Sequence, residues 1–242
     1  MCLLIILTGF DDDYPVLVAG NRDEQRARIA APPGLFVGQR RRMLSPRDRK
    51  AGGTWMAVND AGMFAGLTNL SAGEERAEAP TRGNLPHLAL DRDDVDGGVE
   101  AVLREVESSH YNGFQLAISD GRSSAVVLHG DGDTRVERPG PVAVMGNDHR
   151  VGTLKLPAVD AATGEGLQLE QRLDALRSVL CDPGEVGGHR VLKKGGDYGT
   201  VSSSLVAVHR EDAAALVWRY APGPPDETDY RNYGNLGRRL LG

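Results

Sequence analysis

Apolar and polar positions in the first seventy residues follow the pattern of paired β-strands. The segments "CLLIILTGF" and "YPVLVAGNRD" are apolar and rich in β-forming residues, and the acidic, proline-containing turn between them predicts a hairpin with largely buried strands. A Pro-, Gly- and Arg-rich stretch from about Ala31 to Gly53 predicts a loop. The turn "NDAG" then joins two further strands, "TWMAVND" and "MFAGLTNL", which makes four predicted strands in this region.

Helices and further strands are predicted in the rest of the chain. A short helix is expected at Leu85 to Leu90, and an amphipathic one near Val95 to Glu107. A second amphipathic helix is expected at about Leu167 to Leu180, before Pro183. The predicted strands are "GFQLAISD", "SSAVVLHG", "VAVMGN", "VSSSLVAVH" and "AALVWRY". This order predicts an α+β layered fold in which helices cover antiparallel sheets.

Length and composition are those of one globular unit, so we predict a single domain over residues 1–242. The net charge of -6 gives no support to nucleic-acid binding or to binding of an anionic membrane. The apolar start is too short to span a bilayer and runs into three aspartates, so neither membrane insertion nor a secretory signal is expected. Two cysteines cannot form a disulfide framework, which favours a reducing cytoplasmic location.

Cys2 is the first candidate for chemistry, because it directly follows the initiator methionine. Its sulfur could be a small buried hydrophobe, a lipid-attachment site or a nucleophile. Myristoylation needs glycine at this position, and no second anchor signal lies nearby. Methionine aminopeptidase removes Met1 when the next residue is small, which would leave Cys2 with a free α-amine. An amine with a pKa of about 7.7 to 8.0 can take the proton of a thiol with a pKa of about 8.5.

Such a nucleophile needs a carboxylate beside its amine and hydrogen-bond donors for the oxyanion. In the predicted hairpin, the end of the second strand lies beside the start of the first. Alternation sends Asn21 and Asp23 to one face and Arg22 to the other, unless a bulge at Gly20 redirects them. We therefore predict that Asp23 reaches the amine of Cys2.

Seven motifs, in one order across nearly the whole chain, resemble those of the Transport-and-Golgi-organisation-2-like family, also called the NRDE family. They are "MCLLI", "AGNRDE", "GGTW", "LTNL", "RGNLPHLAL", "YNGFQL" and "YGTVSS". That family is related to the N-terminal-nucleophile hydrolases, in the branch of penicillin V acylase and conjugated bile acid hydrolase. The resemblance implies a four-layer αββα sandwich of antiparallel sheets, a catalytic amino-terminal cysteine, and amide hydrolysis or acyl transfer.

The resemblance also implies individual roles. Cys2 corresponds to the nucleophile and Asp23 to the aspartate that hydrogen-bonds its amine. Asn69 is similar in position to an asparagine of the oxyanion hole, and Asn147 to a second active-site asparagine. Without the resemblance, both asparagines would be interpreted as turn residues at strand ends. The candidate catalytic set is Cys2, Asn21, Arg22, Asp23, Asn69 and Asn147.

The chain departs from the hydrolase branch at two positions. Relatives there carry an arginine three residues before the aspartate, where this chain has Gly20, which leaves Arg22 as a displaced substitute. The family's "GTRSS"-like signature reads "GTVSS" here, so Val201 replaces a late arginine that could polarise the site.

Two functions remain open. The first is a cysteine hydrolase or acyltransferase that acts on an amide or thioester acyl bond of a small molecule. The second is a non-catalytic carrier that uses the same pocket for haem or for a lipid or acyl ligand, because eukaryotic members of the family are associated with lipid or acyl-CoA metabolism and haem trafficking. Cys2 with its aspartate favours the enzyme, and the lost arginine at Val201 favours the carrier.

Other clusters carry less specific signals. The six histidines show no paired metal-ligand spacing, so neither a metal nor a cofactor is predicted. Cys181 falls at a predicted helix end, where structural burial is expected, and the serines of "VSSS" lack a nucleophile-elbow pattern. A basic segment is either a solvated surface or a rim that meets a ligand's carboxylates or phosphates. Its members are Arg40, Arg41, Arg42, Arg47, Arg49 and Lys50.

Overall fold

Two antiparallel β-sheets form the centre of the computed structural model, which describes residues 2–71 and 75–242. Strands are numbered in chain order. The six-stranded sheet consists, in spatial order, of β10 (Val142–Gly146), β1 (Leu3–Thr8), β2 (Val16–Gln25), β13 (Tyr198–Val208), β14 (Val217–Ala221) and β15 (Arg231–Asn232). The seven-stranded sheet consists of β3 (Ala30–Val37), β4 (Arg42–Asp48), β5 (Met56–Asn59), β6 (Phe64–Asn69), β7 (Phe114–Ser119), β8 (Ser124–Gly130) and β9 (Asp133–Glu137). A separate two-stranded ribbon pairs β11 (Glu185–Val186) with β12 (His189–Arg190).

Helices cover the outer face of each sheet. Helices α1 (Leu85–Leu90) and α2 (Val95–Ser108) pack on the seven-stranded sheet, and α3 (Leu169–Leu180) packs on the six-stranded sheet. The inner faces of the sheets pack against each other through a core that includes Phe64 and Trp218. The layers are therefore helix, sheet, sheet and helix, which confirms the predicted αββα sandwich.

Burial on both faces explains why β1 is apolar without interruption. Leu3 and Ile5 pack on the helix side of the sheet, whereas Leu4 and Ile6 pack in the core between the sheets. The strand pairs with β2 and with β10, and Leu3 stands opposite Asn21. The predicted hairpin is confirmed, and its register places the start of β1 beside the end of β2.

The prediction of a loop from Ala31 to Gly53 is wrong, because strands β3 and β4 occupy most of this segment. Its Pro32 and Pro33 lie in β3 at the edge of the sheet, where the register with β4 shifts between Ala31 and Gly34. An edge strand with a bulge tolerates proline, since the missing N–H groups break no ladder on the open side. The first seventy residues therefore contain six strands rather than the four predicted.

The helix predictions are confirmed with small changes at the ends. Helix α2 extends one residue further than predicted, and α3 begins at Leu169, where Gln168 and Gln171 form a capping box. Beyond β3 and β4, the structure adds β9, β11, β12 and β15 to the predicted strands. Among the helices of the described residues, none combines the length and apolar character needed to span a bilayer.

Candidate functional site

Cys2 lines a cavity of about 350 Å³ at one end of the two central sheets. It precedes β1 and shares the strand face of Leu4 and Ile6, which points between the sheets. Arg22 on β2 and Asn69 at the end of β6 line the same cavity. Both cysteines of the chain are free thiols in the structure. The sulfur, an arginine and an asparagine of the predicted set are thus brought together.

Asn147 contacts the main-chain nitrogen of Cys2. Its Oδ1 accepts a hydrogen bond of 3.0 Å from that nitrogen, across 145 positions of sequence. Its own carbonyl oxygen accepts a 2.9 Å bond from the Ser71 N–H, which ties the end of β6 to the segment after β10. The predicted asparagine therefore lies at the site, where it holds the nitrogen of Cys2.

Gln115, which the sequence analysis did not single out, positions the segment that carries Asn147. Its side chain is fully buried. The Nε2 group donates to the carbonyl oxygens of Gly146 and His149, both at 2.9 Å, and Oε1 accepts a 2.7 Å bond from the Val151 N–H. The motif "YNGFQL" contains this residue, but no local pattern indicates which backbone groups it contacts.

The Asp23 carboxylate is buried and held by residues of a distant segment. Oδ1 accepts a 2.7 Å hydrogen bond from the Thr200 hydroxyl, and Oδ2 lies 3.9 Å from Nζ of Lys193. Burial raises the pKa of Asp23 to about 6, although the Thr200 hydrogen bond and the Lys193 charge oppose this rise. The Asp23 backbone also hydrogen-bonds the sulfur of Cys2. Neither Thr200 nor Lys193 was predicted, because their contacts depend on the pairing of β13 with β2.

The surroundings of Cys2 favour the protonated form of its thiol. Burial raises its pKa above the usual range, and the negative charge of Asp23 acts in the same direction. The backbone hydrogen bond from Asp23 and the positive charge of Arg22 act in the opposite direction. A reaction at this sulfur therefore needs a group that removes the proton.

Arg22 is buried between the sheets, and its guanidinium carbon lies 4.6 Å from the ring centroid of Trp55. Its Nη2 lies 3.7 Å from Asp48 and 3.9 Å from Glu24, at ion-pair rather than hydrogen-bond distance. Its Nη1 has no hydrogen-bond partner among the described residues. The positive charge therefore remains available to the cavity.

Asn21 does not line the cavity. Its side-chain Nδ2 donates to the carbonyl oxygens of Leu180 and Val191, both at 3.0 Å, and so ties β2 to the end of α3. Asn21 and Asp23 share one face of β2 and Arg22 lies on the other, which is the alternation that period-two spacing predicts. Of the predicted set, Asn21 is therefore placed as a residue that holds the strand.

Asn69 lines the cavity at the end of its strand. It is the last residue of β6 and stands opposite Phe114 on β7. Its amide makes no side-chain hydrogen bond within the part of the chain that the structure describes. Both of its N–H groups can therefore donate to a molecule in the cavity.

Packing explains the glycine at position 20. A Cβ atom there would lie 3.1 Å from the Leu3 carbonyl oxygen and 3.3 Å from side-chain carbons of Leu4 and Met56. An arginine has no room at this position. Val201 lies where the register between β13 and β2 shifts, and the nearby cation at Asp23 is Lys193.

Two glycines form a wall of the cavity. The Thr54 N–H donates a 2.8 Å hydrogen bond to the Gly83 carbonyl oxygen, so the "GGTW" and "RGN" segments run against each other. A Cβ atom at Gly53 would lie 2.5 Å from the carbonyl carbon of Gly83. Close backbone contact therefore requires glycine at position 53 and fixes Trp55 beneath Arg22.

None of the six basic residues between Arg40 and Lys50 lines the cavity. Arg40 and Arg41 form ion pairs with Asp93 at the surface, and Arg41 also pairs with Asp60. The interpretation as a ligand rim is therefore not supported, and the arginines at the cavity come from other segments. Within the described residues, no three His, Cys, Asp or Glu side chains are grouped to hold a metal ion.

The solved structures that resemble this chain are hydrolases and acylases. Penicillin V acylase from Agrobacterium tumefaciens is 15% identical with a TM-score of 0.54, over 91% of this chain and 83% of that protein. A mutant of conjugated bile acid hydrolase from Clostridium perfringens is 14% identical with a TM-score of 0.53, over 96% and 92%. At this identity the likeness shows the fold, which is that of the N-terminal-nucleophile hydrolases.

Relatives in sequence are similar over a shorter segment. The Transport and Golgi organization 2 homolog of Mus musculus is 34% identical over 112 residues, and the human protein is 35% identical over the same length. The match covers 44% of this chain and 39% of each relative. The family model described as Transport and Golgi organisation 2 matches residues 1–156. The chain therefore belongs to the Transport and Golgi organisation 2 family.

Proposed function

We propose that the chain is a cysteine hydrolase or acyltransferase of the N-terminal-nucleophile type, acting on an amide or thioester acyl bond of a small molecule. One observation carries the proposal. Cys2 lines a cavity while its nitrogen donates a hydrogen bond to Asn147, and the backbone of Asp23 hydrogen-bonds its sulfur. Core packing of a cysteine would need neither the cavity nor these partners.

Proton removal is assigned to the nitrogen of Cys2 itself. Removal of Met1 would convert this nitrogen into an α-amine, a group whose ordinary pKa is about 7.7 to 8.0. The amine takes the thiol proton, and Asn147 and Asp23 keep it beside the sulfur. The raised pKa of the thiol means that the nucleophile is formed only when this transfer takes place.

The reaction then proceeds in two steps. The sulfur attacks the acyl carbon, the bond to the leaving nitrogen or sulfur breaks, and the leaving group receives the proton held by the amine. Water attacks the resulting thioester, which releases the carboxylic acid and restores the thiol; an acceptor amine or alcohol in place of water gives acyl transfer. The side-chain amide of Asn69, a residue that lines the cavity, donates to the oxyanion in both steps.

Mass spectrometry of the purified chain tests the proposal. We expect the mass of a chain without Met1, and an acyl adduct after brief incubation with a panel of acyl thioesters and N-acyl amides. The adduct should be absent from Cys2→Ala and present in Cys181→Ala, which removes the other free cysteine and serves as the matched control. Retained Met1, or labelling that survives Cys2→Ala, would refute the proposal.

A second variant separates the amine from the thiol. Insertion of a lysine between Met1 and Cys2 blocks Met1 removal and leaves the thiol without an adjacent α-amine. Acylation should fall by about 10² or more, as expected when a positioned base is lost. An unchanged acylation rate would show that another group removes the proton.

A carrier of haem or of a lipid or acyl ligand stays a prediction of the sequence. The cavity wall carries four arginines and three carboxylates, whereas an apolar ligand needs a mainly apolar pocket. The cytoplasmic location likewise stays a prediction, consistent with the free thiols of both cysteines. A chain that binds haem saturably but forms no acyl adduct would favour the carrier.

A further inference from the structure

We propose that the cavity selects acyl groups that carry a carboxylate, and that Arg22 binds this carboxylate. The acyl part of this inference rests on the proposed function, whereas the anion-binding part does not. Arg22 and Cys2 line the same cavity, and the register of β1 with β2 makes them cross-strand neighbours on the face between the sheets. An anion held by Arg22 would therefore lie close to the sulfur.

One donor nitrogen of Arg22, Nη1, is not used by the described part of the protein, and Nη2 makes only long ion-pair contacts. Nη1 is buried and has no hydrogen-bond partner among the described residues, which is unfavourable for a charged donor. The carboxylates nearest to Nη2 are already engaged by another residue. Asp48 accepts bonds of 2.8 and 2.6 Å from Arg28, and Glu24 lies 3.3 Å from the same guanidinium.

Of the other three cavity arginines, Arg28 is committed to Asp48, Arg76 is exposed, and Arg82 is committed elsewhere. Nη1 of Arg82 donates a 2.8 Å bond to the Gly113 carbonyl oxygen, and its Nη2 lies 3.3 Å from Glu75. Arg22 is also held rigidly, because its guanidinium lies against the Trp55 ring. A planar, pre-positioned guanidinium suits the paired oxygens of a carboxylate.

The charge of the cavity agrees with an anionic ligand. Its wall carries four arginines against three carboxylates, in a protein whose net charge is -6. The excess positive charge is thus local to the cavity, whereas the protein as a whole does not attract anions. Asn69 at the same cavity can donate to the acyl carbonyl while Arg22 holds the carboxylate.

Ligand binding to the Cys2→Ala chain tests the inference without any chemistry at sulfur. Glutarate is the probe, because one carboxylate can meet Arg22 while the other stands in for the acyl product. We expect calorimetry to show saturable binding of glutarate and at least tenfold weaker binding of the neutral glutaramide. Arg22→Gln should abolish the difference and Arg22→Lys should keep part of it. Arg104→Gln, at an exposed arginine on α2, should change nothing.

Alkylation of the wild-type thiol gives an independent measurement. The rate ratio of anionic iodoacetate to neutral iodoacetamide at Cys2 should fall at least tenfold in Arg22→Gln and stay unchanged in Arg104→Gln. Equal binding of glutarate and glutaramide, or glutarate binding that survives Arg22→Gln, would overturn the inference. Glutarate binding without acylation of Cys2 would refute only the proposed function. Acylation without a preference for acidic acyl groups would refute only the inference about Arg22.

Discussion

Replacement of Gln115 by leucine should loosen the segment that carries Asn147. The substitution removes the acceptor of the Val151 N–H and the donors to the carbonyl oxygens of Gly146 and His149. Those two carbonyls keep a second hydrogen bond, since the Gly146 and His149 backbones also bond each other at 3.2 Å. Val151 alone is left with an unsatisfied buried donor.

The free energy of unfolding should fall by about 2 kcal/mol. The unsatisfied N–H costs about 1–3 kcal/mol, and each of the two lost hydrogen bonds about 1 kcal/mol. Burial of the leucine side chain at this fully buried position returns roughly 1.5–3 kcal/mol of this loss. The net loss is therefore moderate, and the folded chain remains available for measurement.

Native-state hydrogen exchange is the appropriate assay. Protection should fall at the amides of Val151 and Ser71, because Ser71 donates to the Asn147 carbonyl oxygen, while Ile118 on β7 keeps its relative protection. Ser119→Ala serves as control, since it removes another buried polar group from β7 without touching this segment. Unchanged exchange at both amides, or equal exchange in the control, would refute the assigned role.

Three further predictions concern the walls of the site. Because the fold raises the pKa of Asp23, its carboxyl contributes about 3 kcal/mol to the free energy of unfolding below pH 4, and this contribution is lost as pH rises through 6. Asp23→Asn should remove this pH dependence. Urea unfolding of both chains from pH 4 to 7 measures the difference. Thr200→Val should raise the pKa of Asp23 further, since the lost hydrogen bond favours the ionised form, and a carboxyl titration by NMR that shows no rise would contradict this. Gly53→Ala should lower the free energy of unfolding by about 1–3 kcal/mol through its clash with Gly83, whereas Gly34→Ala, which meets no atom within 4 Å, should be nearly neutral.

Local sequence patterns predicted the part of the site that lies on neighbouring strands. The hairpin of β1 and β2 joins residues close in sequence, so its apolar runs and acidic turn were enough to place Cys2 near Asp23. Alternation likewise separated Arg22 from its two neighbours. The error at β3 arose because Pro32 and Pro33 are typical of loops, and sequence alone did not indicate a strand at the sheet edge.

The rest of the site depends on contacts between distant segments. Thr200 reaches Asp23 across 177 positions, and Asn147 reaches Cys2 across 145. No periodicity within a strand encodes such contacts, and Asn147 was identified only through the family resemblance. The role of Gln115 could not be predicted for the same reason, because its partner Val151 lies in a segment that is distant in sequence.

The pairing of β1 with β10 and of β2 with β13 sets the order of events during synthesis. Both partner strands are translated long after Cys2 has left the ribosome, since chains grow at about 5–20 residues per second. An aminopeptidase that acts on the nascent chain would reach its start before β10 and β13 have been made. On the proposed mechanism, processing of the terminus can therefore precede completion of the site by these two later strands.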